Sequence, residues 1–440
     1  MHQAGTVVIG GGLAGLLAAI GAAQAGRQVV LLERSAHTGG RGISVHKNGA
    51  RLNLGGHALY RGGAAYANLQ RLGVKLDGGT PSTAGEALWK NGLAPLPADP
   101  FRLLTSKLFR FSGKIELGRL LMRLGSAEPS ALGNVSLRQW AEAEVRDPMA
   151  RHMFYSLCRT ATYGRDIDYQ LARAVLRQVR LALKDGVRYL DGGWQSLIDQ
   201  LQALAVRSGV AIRTRASAEA IVHENGAVRG VSTGSGELIP ADSVISTLPP
   251  GDSFRLVAGA ANTALSRWTE DARPITAACL DLALRRLPTP GRDLVMGLDQ
   301  PLFFSNHSRA AKLSDNGTIV THLIKYNAPG EQSPQADEEL LTRTMDMLHP
   351  GWEQLTAAKQ FLPSITVVHD YPHIARRDPS PGPAVPEIRG LYVAGDWASH
   401  DEMLADAAAA SAERAVAQLL KDAKAGLIRK PTAADAAIPV

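Results

Sequence analysis

TVVIGGGLAGLLAAIGAAQAGRQVVLLE, residues 6–33, decides the fold. Thr6 to Gly10 is a short β-branched run suited to a buried strand, Leu13 to Ala25 is a Leu- and Ala-rich helix, and Gln28 to Glu33 is a second buried strand. Together they make one βαβ unit. Between the first strand and the helix the glycines Gly10, Gly12 and Gly15 fall at G-x-G-x-x-G spacing. Gly10 permits the tight turn, Gly12 lets backbone approach a pyrophosphate, and Gly15 lets helix and strand pack closely. The helix start at Leu13 and Ala14 offers free N–H groups and a positive dipole end to phosphates. Glu33, with Arg34 beside it, ends the second strand, where a carboxylate accepts from adenosine ribose hydroxyls. A chance glycine cluster is the bland alternative; strand, helix, second strand and terminal Glu in order outweigh it.

Two further stretches separate FAD from NAD. Gly39-Gly40-Arg41 frees the backbone again, and Arg41 can neutralise phosphate charge. Near the other end, Gly390-Leu391-Tyr392-Val393-Ala394-Gly395-Asp396 is a strand running into Gly-Asp, followed by an Ala-rich helix from about Met403 to Leu420. If that strand rejoins the first sheet, Asp396 accepts from the ribityl or pyrophosphate region. The helix start at Met403 and Leu404 then faces the flavin pyrimidine, where a positive helix end stabilises anionic reduced flavin.

With these pieces, and with Asn53-Leu54-Gly55-Gly56-His57, the chain resembles the flavin family of phytoene desaturases, protoporphyrinogen oxidases and monoamine or polyamine oxidases. A middle block matches too: Gly192-Gly193-Trp194 opening a helix to Ser208, a strand at Val210 to Arg213, strands at Ala218 to His223 and Val228 to Thr233 around an Asn225-Gly226 turn, and Ala241 to Thr247. The resemblance implies an α/β (α+β overall) architecture. A Rossmann-like FAD domain (1–73, 190–260, 378–425) is interleaved with a mixed-sheet and helical substrate domain (74–189, 261–377), and 426–440 is a tail. It also implies that Ala218 gives backbone contacts to adenine and that Gly55, Gly56 and His57 approach the flavin. Glu86 to Pro95 reads as a hairpin around Asn91-Gly92, Ile275 to Leu284 as a strand, and Leu137 to Leu183 as two or three helices.

The chain departs from the family at three places. Ala407 and Ala412 flank Ser411 where glycine is common. No cysteine lies near Gly395-Asp396, so FAD is expected to be held non-covalently. The strand segment Ala278 to Ala283, where many amine oxidases carry a flavin-facing lysine, has none, and Lys325 is not expected to replace it.

His57 is the candidate base, against a packing role beside the cofactor. His400 and Asp401 either line the cavity or cap the following helix; Tyr60, His307, His322 and Lys325 are unranked; Arg159, Arg165 and Arg173 read as structural charges. Pro100 to Arg123 is a basic amphipathic helix, either a lid over an apolar substrate or a contact with an anionic membrane.

The chain has 440 residues with 48 basic and 41 acidic side chains, a surplus spread too evenly to argue for nucleic acid. Two distant cysteines, Cys158 and Cys279, make no metal spacing and suit a reducing, cytoplasmic setting, peripheral at the inner membrane face if the basic helix binds lipid. Neither a signal peptide nor a transmembrane helix is expected. The expected activity is FAD-dependent dehydrogenation or desaturation of a hydrophobic small molecule, with oxygen or a quinone as acceptor. An amine oxidase and a non-catalytic FAD-binding protein are the alternatives.

Overall fold

The computed structural model describes residues 5–126 and 132–429; residues 430–440, read above as tail, lie outside them. The opening stretch folds as strand Thr6–Ile9, helix Leu13–Gln24 and strand Val29–Leu32. These strands form a five-stranded sheet with Ala211–Arg213, Ser243–Ser246 and Leu391–Val393, in the order 211, 29, 6, 243, 391 and parallel throughout. Both faces of the central strands are covered, so Thr6–Ile9, Ser243–Ser246 and Leu391–Val393 are buried throughout, while the edge strand Ala211–Arg213 is largely exposed. Val8, Leu31, Ile245 and Tyr392 face the helices Leu13–Gln24, Trp194–Arg207 and Leu404–Lys424. Val7, Ile9, Leu32 and Val244 face a layer built on a three-stranded antiparallel sheet, Ala218–Glu224, Ala227–Thr233 and Leu238–Pro240.

Ile9 lies level with Leu32 and Ser246, and Ser246 with Val393. Gly10, Glu33, Thr247 and Ala394 therefore leave the sheet at one edge, the carboxyl ends of the strands, where open α/β sheets bind ligands.

A seven-stranded mixed sheet makes the second body. Its order is Thr356–Val368, Ile275–Leu284, Ile319–Tyr326, Leu302–Asn306, Leu294–Gly297, Glu86–Trp89 and Gly92–Pro95. Strict alternation splits its long strands. Ala278, Leu280, Leu282 and Leu323 bury against helix Pro334–Leu348, while Ala277, Cys279, Ile324 and Tyr326 face the opposite way. The Leu137 to Leu183 region forms three helices, Leu137–Glu144, Pro148–Thr162 and Ala172–Lys184.

Two local expectations shift. The 86–95 hairpin turns on Lys90-Asn91, both at positive φ, with Trp89 opposite Gly92, so the turn sits one residue before Asn91-Gly92. The expected basic helix is two, Pro100–Thr105 and Phe111–Ser126. Among the described residues no helix is long and apolar enough to cross a membrane.

Candidate functional site

The glycine turn is built as close packing demands. Gly10 adopts φ +102°, and a Cβ on Gly15 would stand 1.8 Å from the Gly10 carbonyl oxygen. A Cβ on Gly12 would meet nothing within 4 Å, leaving an open approach at the helix start. That start has no side-chain cap and no acid in its first turn. The amides of Leu13, Ala14 and Gly15 are thus aimed outward with the positive end of the dipole, a fit for phosphate. Glu33 is buried and held by the Gly11 and Ser35 N–H groups, each at 2.8 Å, leaving a lone pair on each oxygen for ribose hydroxyls. Arg34 is exposed at the same edge, and Ala218 begins the neighbouring antiparallel sheet opposite Thr233.

Gly39 and Gly40 bring the next loop against this turn: the Gly39 N–H donates to the Gly11 carbonyl at 2.8 Å. Arg41 then reaches across to the chain's other end. Its Nη1 donates to Asp396 Oδ2 at 2.8 Å and to the Val367 carbonyl at 2.7 Å. Asp396 also accepts the His369 N–H at 2.9 Å, with His369 Nδ1 3.2 Å from its second oxygen. Burial alone would raise this carboxyl; Arg41 and His369 overcome that and hold it well below the usual carboxylate range. Gly395, at φ +140°, is fixed by Ser411, whose Oγ accepts the Gly395 N–H at 2.9 Å and lies 2.8 Å from its carbonyl. Ala407 and Ala412 beside Ser411 are buried, so alanine permits the approach. Met403 is buried before the helix, and Leu404 takes φ +57° at its first position.

The third part is the Asn53–His57 loop. Gly55 donates its N–H to Asp281 Oδ2 at 3.1 Å. Gln360 Nε2 donates to the same oxygen at 3.2 Å and to the Asn53 carbonyl at 3.1 Å. His322 Nδ1 lies 2.6 Å from Asp281 Oδ1, both residues fully buried. Tyr163, just past helix Pro148–Thr162, donates its hydroxyl to the Gly56 carbonyl at 2.5 Å. His57 Nδ1 is 3.1 Å from the Gly55 carbonyl and Nε2 3.2 Å from the Arg41 carbonyl, with the ring 5.0 Å from Trp194. Burial holds its pKa below the ordinary imidazole value. The ring thus bridges two cofactor-side loops, and acting as a base would require it to release one carbonyl.

The other residues singled out from sequence go elsewhere. Asp401 pairs with Arg173 at 2.9 Å and does not cap the helix; its neighbour His400 spends its backbone N–H on Glu402. Lys325 is buried between Glu331 and Asp337, on the helix-covered side of the second sheet. Tyr60 donates to the Ala161 carbonyl, and His307 stacks on Tyr189 at 3.7 Å. Arg159 donates to the Gly297 carbonyl and Arg165 pairs with Glu331. Asp281, Gln360 and His369 escaped the sequence reading. The available signal was a lone acid in ACLDLAL, inside an apolar strand, and the imidazole of VVHDY at the end of another. Among the described residues no group of acids, histidines and cysteines could hold a metal ion.

Comparison with known proteins agrees with this arrangement. The family described as flavin containing amine oxidoreductase matches residues 13–420. A 4,4'-diaponeurosporene oxygenase of Staphylococcus aureus is 24% identical over 278 residues, 55% of each chain. A hydroxyneurosporene desaturase of Rubrivivax gelatinosus is 28% identical over 278 residues, 54% of this chain and 52% of its own. The match spans about half the length of these curated relatives. An oxidoreductase of Methanosarcina mazei superposes with a TM-score of 0.74 at 21% identity, covering 93% of this chain and 99% of its own, which is agreement in fold.

Proposed function

The chain belongs to the flavin containing amine oxidoreductase family, and on that premise we propose that it binds FAD non-covalently and dehydrogenates or desaturates a hydrophobic, isoprenoid- or polycycle-like small molecule. The observation that carries the cofactor assignment is convergence at one sheet edge. An uncapped helix start, a pinned Glu33 and the Arg41–Asp396–His369 cluster stand together there. Leu13 to Gly15 hold the pyrophosphate, Glu33 the adenosine ribose, and Asp396 the ribityl chain once Arg41 turns toward phosphate. Bound flavin supplies a hydride acceptor for a substrate C–H bond. The Asn53–His57 loop, braced from behind by Asp281, fixes where that bond must lie.

Non-covalent attachment is supported by the cysteines. Cys158 and Cys279 are both buried, burial pushes both thiols up, and neither adjoins Gly395-Asp396. An apolar substrate is favoured because the side of the second sheet turned away from helix Pro334–Leu348 is lined by Phe303, Ile324, Tyr326 and Tyr163, whereas Lys325 is spent on the helix-covered side. Relatives named for diaponeurosporene and hydroxyneurosporene support the same choice.

The test is anaerobic mixing of purified protein with an isoprenoid polyene in detergent micelles and, separately, with aliphatic amines. Released cofactor should chromatograph as FAD, and the polyene should bleach the visible flavin band. Bleaching by amines, with peroxide once air is admitted, would turn the assignment to amine oxidation. No bleaching by either class would contradict an oxidoreductase of apolar substrates and leave FAD as structural.

A further inference from the structure

We propose that helices Pro100–Thr105 and Phe111–Ser126 form a face that docks on an anionic lipid bilayer. Of ten strongly exposed large apolar side chains among the described residues, five lie between Phe101 and Met122, so the exposure is local. Phe101 and Phe111 are each 74% exposed and Leu104 65%. On the second helix Phe111, Ile115 and Met122 make an outward stripe, while Leu117, Leu120 and Leu124 bury against Trp140, Phe154 and Val175. The inner face is satisfied, and the outer one presents aromatic and aliphatic groups to water.

Charge decides the occupant. Lys107, Arg110 and Arg119 stand exposed in the same segment and take part in no ion pair among the described residues. Its acids are engaged: Asp99 caps the first helix and pairs with Arg102, and Glu116 accepts the Arg146 and Asp147 N–H groups. A surface both apolar and cationic matches a bilayer interface, with rings among acyl chains and basic groups among anionic headgroups. A second copy of the chain would bring like charges together.

The face is tied to the site by one helix. Asp147, the N-cap of Pro148–Thr162, lies against Gly113 of the docking pair, and Tyr163 at the other end bonds the Gly56 carbonyl. A rise of 1.5 Å per residue separates Asp147 from Tyr163 by about 24 Å. A substrate dissolved in the bilayer would then enter from the surface on which the protein sits.

Flotation of the full-length, flavin-loaded protein with vesicles tests this without substrate, so its outcome is independent of the turnover assay. Vesicles of phosphatidylcholine with about one third phosphatidylglycerol should carry the protein, and pure phosphatidylcholine should not. Salt at about 0.5 M should release most of it. The double variant F101S/F111S should lower the floated fraction about tenfold, with flavin content and melting temperature unchanged. K107E/R110E should abolish the preference for anionic vesicles. The proposal is overturned by protein that stays at the bottom of the gradient with both compositions, or by F101S/F111S floating like the parent. It is equally overturned by a parent dimer that this variant converts to monomer, which would assign the face to a second copy.

Discussion

Gly15 leaves no room for a side chain, since a methyl would sit 1.8 Å from the Gly10 oxygen. Gly15→Ala should purify without flavin and lose about 3 kcal/mol of stability to urea; a yellow, fully stable variant would refute the close approach. Asp281 illustrates the opposite kind of residue. Its partners, Gly55, His322 and Gln360, are 226, 41 and 79 positions away. Local spacing therefore reveals the glycine turn and Glu33, while a buried carboxylate answered from three distant segments leaves no spacing to read. Asp281→Asn, which uncouples the pair with His322, should cost about 3 kcal/mol and weaken flavin binding. Unchanged affinity at lower stability would limit Asp281 to a structural role. Asp406 sets a pH dependence. Burial pushes its carboxyl up to about 6 from 3.8, against the opposing Ala65 N–H bond. The folded chain thus holds this proton more tightly than the unfolded one. Its stabilising effect is complete below pH 3.8 and is lost as pH rises through about 6. Asp406→Asn should flatten the fall in melting temperature across that window, by the equivalent of up to about 3 kcal/mol; an unchanged profile would contradict the assignment.

At the scale of elements, composition and period carried most of the information. Strand Ile275–Leu284 falls where its apolar run ends, and Asn225-Gly226 turns where expected, both residues at positive φ. The 86–95 hairpin slipped by one because cross-strand partners set its register: with Leu88 opposite Leu93, the turn must be Lys90-Asn91. Lys90 then occupies a left-handed position that a lysine tolerates poorly. Replacing Lys90-Asn91 with Asn-Gly should stabilise the protein by about 1 kcal/mol, read as a higher urea midpoint with an unchanged slope. A lower midpoint would place the turn elsewhere. The 100–123 stretch also exceeded its pattern. Its amphipathic period runs through, but the first helix closes at Ser106 in extended backbone, and Lys114 Nζ donates to the exposed Leu104 carbonyl. Such a tertiary answer to a helix end is not written in periodicity.

For the whole molecule, the parallel sheet takes strands from residues 6–32, 211–246 and 391–393, with the second sheet's strands inserted between them. The return of the last strand was legible only as a Gly-Asp motif. Strand Ser243–Ser246 joins it to the first in the sheet, and beyond the sheet edge the Arg41–Asp396 pair links the two end segments across 355 positions. That pair is where both chain ends are held to meet on one cofactor. Fluorescence titration of apo-protein with FAD and with ADP, for the parent and Asp396→Ala, separates the two halves of the grip. The account predicts that the parent binds both, and that the variant binds ADP unchanged but FAD about tenfold more weakly, by roughly 1.4 kcal/mol. A parent that takes up no FAD, or a variant whose FAD affinity equals the parent's, would contradict it.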